Sequence, residues 1–126
     1  MIVAIGTDLA QIGRLEEAYA RRGARLLERL FTPAERAYCE RRAARRFTHY
    51  AGRFAVKEAV MKVLGTGWRA GVRWVDIEVL RDPGQAPRVE LHGASHAHMR
   101  RRGIERIHIS ISHDAGLAMA VAVGER

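Results

Sequence analysis

The sequence predicts an α+β fold, a single compact domain over residues 1–126 in which a mainly antiparallel sheet packs on one long buried helix. Three observations carry that prediction. The first half of the chain is rich in helix formers, the second half alternates apolar and polar residues, and the stretch 53–64 carries apolar side chains on every face. With no internal repeat, low-complexity tract or Pro/Ser-rich linker, these elements belong to one unit.

A strand over Ile2–Ile5 runs into Gly6-Thr7-Asp8. With a two-residue period Asp8 shares a side with Ile2, Ala4 and Gly6 and falls at the strand's end, where a carboxylate is positioned rather than merely solvated. From about Leu9 to Leu30 helix formers predominate, with Gly23 able to split the stretch. Thr32-Pro33-Ala34-Glu35 reads as a capping box, opening a helix that runs to about Arg46. The next helix, Thr48–Leu64, stops at Gly65-Thr66-Gly67. In a strand over Val72–Leu80, Val75, Ile77 and Val79 alternate with Trp74, Asp76 and Glu78. Asp82-Pro83-Gly84 turns the chain into a shorter strand around Val89–Leu91. A helix over about Ala94–Arg102 ends at Gly103, before a hairpin with arms Ile107–Ser112 and Leu117–Val123 around the loop His113-Asp114-Ala115-Gly116. On the last arm Ala118, Ala120 and Ala122 share a face, leaving room for a helix to pack closely.

Charge narrows the function classes without choosing among them. The 22 Lys and Arg against 14 Asp and Glu give +8, so the partner is anionic: nucleic acid, an acidic protein and a polyphosphate ligand all fit. The apolar run Met1–Ile5 is too short to span a bilayer and lacks the marks of a signal peptide, which points to a cytoplasmic protein with no membrane partner. Cys39 is a lone cysteine and reads as a bystander. In a chain of 126 residues, a site built between subunits is the expectation.

The chemistry-bearing residues cluster on the second long helix. Glu58 projects among Ala51, Phe54, Ala55 and Met61, and an unpaired carboxylate there is costly, so it needs a cation. Lys62, one turn on, would make an ordinary pair of about 0.2–0.5 kcal/mol on an exposed helix. A metal is the alternative: Asp8 and Glu58 are hard ligands suited to magnesium, with Arg53, Lys57 and Lys62 balancing phosphate charge. Spacing alone leaves both readings open. His96 and His98 would point about 200° apart on a helix, so His92, His96 and His98 read as surface residues rather than a zinc site. The arginines at 41, 42, 45 and 46 and at 100–102 read as solvated faces, and Trp68 and Trp74 as packing residues.

Gly6-Thr7-Asp8, Phe31-Thr32-Pro33-Ala34-Glu35, the block Ala51-Gly52-Arg53-Phe54-Ala55-Val56-Lys57-Glu58-Ala59 with Lys62 and Leu64-Gly65-Thr66-Gly67, then Asp76-Ile77-Glu78-Val79 and Ser110-Ile111-Ser112-His113, resemble the holo-acyl-carrier-protein synthases in order and spacing. The resemblance runs nearly end to end, and the short length is similar to the small class of phosphopantetheinyl transferases. Asp114 stands where many relatives carry a small hydroxyl residue. The resemblance implies the 4′-phosphopantetheinyl transferase fold, with Asp8 and Glu58 as magnesium ligands and Lys62 on the coenzyme A pyrophosphate. It further implies that Arg53, Lys57, Gly65, Thr66, Gly67 and His113 line or adjoin the coenzyme site of a homotrimer with sites between subunits. The implied reaction moves phosphopantetheine from coenzyme A to a serine of apo acyl carrier protein, releasing adenosine 3′,5′-bisphosphate and supporting fatty acid biosynthesis. Either Glu58 directly or a metal-bound water would take the serine proton. Arg14, Arg21 and Arg25 fall within about 40° of one another if the first helix is continuous, making a stripe for an acidic carrier. A basic nucleic-acid-binding module and a magnesium-dependent phosphohydrolase are the competing classes.

Overall fold

The computed structural model describes residues 1–67 and 69–126. Trp68 lies outside the described residues. The elements run β1 (Ile2–Gln11), α1 (Ile12–Arg22), α2 (Ala24–Leu30), α3 (Pro33–Glu40), a 3-10 turn (Ala43–Arg45), α4 (Arg46–Leu64), a second 3-10 turn (Trp74–Asp76), β2 (Ile77–Leu80), β3 (Arg88–Leu91), α5 (Gly93–Arg101), β4 (Arg106–Asp114) and β5 (Leu117–Glu125). An antiparallel sheet of order β1-β5-β4 packs on α4, with the antiparallel pair β2-β3 beside it. The α+β reading therefore holds.

The core forms where α4 crosses the three-stranded sheet. Ala118, Ala120 and Ala122 on β5 and Ala51, Ala55 and Ala59 on α4 are all fully buried, so backbone meets backbone with only methyl groups between. Val56, Val60 and Val63 fill the flanks. Burial of each such side chain contributes about 1.5 kcal/mol or more, which is why a helix apolar all round belongs inside.

Four expectations change. First, β1 does not end at Asp8. It pairs with β5 as far as Gln11, with Asp8 opposite Ala120, because the rungs Leu9↔Met119 and Ala10↔Ala118 supply backbone partners beyond it. Second, Gly23 breaks the first helix: its φ of 70° and ψ of −156° suit glycine alone, and Arg25 lies on α2 instead of continuing the Arg14–Arg21 stripe. Third, α3 ends at Glu40 and Trp74–Asp76 forms a turn, so β2 is only four residues long. Fourth, the hairpin loop is Ala115-Gly116 alone, both with positive φ as a tight two-residue turn requires, and His113 and Asp114 close the β4 ladder. The capping box forms as read, with Thr32 Oγ1 accepting from Glu35 N and Glu35 Oε1 accepting from Thr32 N.

Candidate functional site

Asp8 faces inward from β1, and Glu58 and Lys62 face it from α4. Lys62 Nζ donates to the Thr7 carbonyl at 2.7 Å and to Asp8 Oδ1 at 3.0 Å. Lys62 thus hydrogen-bonds to Asp8 rather than to Glu58 one turn before it. The Asp8 side chain is 13% exposed and that of Lys62 56%, so the ammonium stays within reach of a solute. Glu58 is half-buried, and burial first, then the neighbouring Asp8, push its carboxyl up to about 7, with Lys62 opposing. Two carboxylates forced together beside one lysine form a hard-oxygen pair that a divalent cation would relieve.

Glu58 also lines a cavity of about 550 Å³ between α1, α2 and α4. Its walls include Leu15, Leu26, Phe54 and Trp74, the last two stacked with centroids 5.0 Å apart. Arg14, Arg22 and Arg29 bring three cations to it, while Arg21 and Arg25 do not line it.

A second set of cations gathers toward the other end of α4. Arg45 Nη2 lies 3.2 Å from His113 Nε2. His49 is held below the usual histidine range by burial, then by Arg53, Arg42, Arg45 and His113. Arg53 is 4% exposed with its guanidinium 4.0 Å from the Tyr38 ring centroid, and its Nε has no hydrogen-bond partner among the described residues. With Arg41, Arg81 and the pair Arg88–Asp82, whose charges meet at 3.0 Å, Arg53 lines a cavity of about 190 Å³. A buried, unsatisfied guanidinium nitrogen among further cations suits an anionic ligand.

At the C-terminal end of α4, Gly65 takes a left-handed conformation (φ 76°), and Gly65 N donates to Met61 O at 2.9 Å. Arg102 Nη1 donates to Val63 O at 2.6 Å, tying α5 to the same helix end. Gly65, Thr66 and Gly67 begin three residues after Lys62, as read from the sequence.

Lys57 stands elsewhere. Its side chain is fully buried, 2.9 Å from Glu35 Oε1, and it donates also to the Trp74 and Ile77 carbonyls. Burial lowers its pKa against the pull of Glu35. Enclosed by three oxygens, this ammonium joins α3, α4 and the start of β2. Sequence reasoning missed that role of Glu35, and missed Arg45 beside His113. The histidines do not converge: His92 Nε2 lies 3.1 Å from Glu78 Oε1, and His98 Nε2 3.1 Å from Ala70 O. Glu78, Glu90 and His92 do meet on the β2-β3 pair, a grouping legible only from the cross-strand register.

The 4′-phosphopantetheinyl transferase superfamily matches residues 4–122 of the chain. The holo-[acyl-carrier-protein] synthase of Solibacter usitatus is 45% identical over 125 residues, 99% of each chain. Among solved structures, the holo-[acyl-carrier-protein] synthase of Neisseria meningitidis superposes with a TM-score of 0.89 at 30% identity, covering 100% of both chains. That of Helicobacter pylori, in complex with coenzyme A, gives 0.83 at 34% identity, covering 97% of this chain and 100% of its own.

Proposed function

The chain belongs to the 4′-phosphopantetheinyl transferase superfamily, and we infer that it transfers the 4′-phosphopantetheine group of coenzyme A to a serine of apo acyl carrier protein. The products are holo acyl carrier protein and adenosine 3′,5′-bisphosphate. The observation that carries this reading for the chain's own residues is the meeting of Asp8, Glu58 and Lys62 where α4 crosses β1.

Asp8 and Glu58 would hold magnesium, which when bound supplies positive charge to the pyrophosphate oxygens. Lys62, more than half exposed, would steady the charge on the departing phosphate. Glu58, directly or through a water, would take the serine proton. Arg53, Arg45 and His113 would receive the anionic nucleotide end, and the Gly65-Thr66-Gly67 loop would flank the pyrophosphate.

A homotrimer with sites between subunits fits two observations. The outer face of the sheet exposes Ile5 (61%) and Leu9 (62%) beside Met119. Arg53 and Lys62, in the two halves of the coenzyme set, lie about 14 Å apart along the axis of α4. Neighbouring copies would bring opposite halves together. Arg14, in the wall of the groove that reaches Glu58, and Arg21 on the same helix would meet the acidic carrier. No helix among the described residues is long and apolar enough to cross a membrane. The setting proposed is cytoplasmic fatty acid biosynthesis. The test incubates the protein with coenzyme A, magnesium and apo acyl carrier protein and weighs the carrier by mass spectrometry. A carrier gaining one phosphopantetheine supports the reading; an unchanged carrier overturns it.

A further inference from the structure

We propose that Gly6 is a positioning residue: its missing side chain lets β1 close on α4 and so sets the spacing of the Asp8 and Glu58 carboxylates. The proposal rests on reading that pair as a cation site.

A Cβ placed on Gly6 would overlap the Ala59 carbonyl oxygen and lie 3.1 Å from Lys62 Cβ. The overlapped atom is helix backbone, which cannot swing aside as a side-chain tip can, so strand or helix must move. The position of the contact decides what that movement disturbs. Ala59 follows Glu58 directly, Lys62 holds Thr7 and Asp8, and Gly6 lies two residues before Asp8 on the same side of β1. A single methyl group at Gly6 therefore acts as a wedge among all three groups of the site. It would lengthen the Lys62 contacts of 2.7 and 3.0 Å and part the carboxylates.

Gly124 provides the contrast within the same interface. A Cβ there would meet Val63 Cγ1 at 2.9 Å and Ile104 Cδ1 at 3.0 Å, both side-chain tips that can shift. It sits about 13 Å along β5 from the Asp8 rung, at ~3.3 Å per residue. Gly124→Ala thus strains the packing of α4 on the sheet without touching the carboxylates.

The experiment measures binding of Mn²⁺, a spectroscopic stand-in for magnesium, to the substrate-free protein by electron paramagnetic resonance of the free ion. Gly6→Ala should weaken Mn²⁺ binding about tenfold or more while circular dichroism shows the fold retained, the scale seen when support around metal ligands is disturbed. Gly124→Ala should bind as the unaltered protein does, even if it melts earlier. If Gly6→Ala does not fold, Ala10→Val replaces it: Ala10 is buried on the same side of β1, just beyond Asp8, and its added methyls should weaken binding likewise. Unaltered protein that binds no Mn²⁺ overturns the cation reading and the proposal with it. Tight binding by the unaltered protein together with equally tight binding by the folded Gly6→Ala or Ala10→Val protein, or an equal loss in Gly124→Ala, overturns the proposal alone.

Discussion

Replacing Lys57 with methionine should cost this protein about 3–5 kcal/mol of stability, the range for removing one partner of a buried ion pair. The structure places the chain within that range. Glu35 and Lys57 are both fully buried, so the abandoned carboxylate cannot reach water. Glu35 would keep the Thr32 and Val79 amides as donors, at 2.8 and 3.0 Å, which soften the loss without neutralising the charge. The Trp74 and Ile77 carbonyls also lose a donor. Methionine fills most of the vacated volume, so the cavity contribution stays small. Against a typical total of about 5–15 kcal/mol, the loss is large. In urea, at about 1–3 kcal/mol per molar, the unfolding midpoint should fall by roughly 1–5 M with an unchanged slope. Glu35→Gln combined with Lys57→Met should cost less than the sum of the two single changes, because the stranded charge is gone. A Lys57→Met protein within about 1 kcal/mol of the original, or strict additivity in the double variant, would refute the reasoning.

Asp8→Ala should abolish transfer with the circular dichroism spectrum intact, and near-normal turnover at ordinary magnesium would remove Asp8 from the metal site. For Glu58 the folded pKa of about 7 lies above the ordinary 4.5, so between those values the native state binds more protons than the unfolded one and metal-free stability falls as pH rises. Glu58→Gln in EDTA should lose that slope, which urea unfolding at pH 5 and pH 8 would read. Light scattering should report about three times the 14.1 kDa chain mass, and a fully active monomer would contradict the shared site. Arg14→Glu with Arg21→Glu should raise KM for the carrier, more strongly at low salt, and leave KM for coenzyme A nearly unchanged; equal effects on both would remove α1 from the docking surface.

What was legible in the sequence was what local rules decide. The Thr32 capping box, the all-round apolar α4 and the Gly65 stop need no distant partner, and all three formed. The length of β1 was not legible, because Thr7-Asp8-Leu9 reads as a strand ending until the register with Ala118–Val121 supplies its ladder. Gly23 was legible as a possible break but not as a certain one, and the φ that decided it also removed Arg25 from the basic stripe. The partner of Lys62 was beyond local reasoning. Helical spacing offers Glu58, whereas the close approach of β1 at Gly6 offers Asp8 and the Thr7 carbonyl together.

Lys57 and Glu58 show why the residues of this helix could be recognised before their roles could be separated. Neighbours on a helix point about 100° apart, so one of two adjacent charges can face the core while the other faces the sheet edge. Lys57 turns toward Glu35 and fixes where α3 and β2 dock, and Glu58 turns toward Asp8. Lys57 also holds the Trp74 carbonyl, and the Trp74 ring stacks on Phe54 in the wall of the groove that reaches Glu58. The fold-building charge therefore braces the surroundings of the chemical one through a single residue. A substitution at Lys57 should show first as lost stability, and one at Glu58 as lost transfer in a protein that still folds.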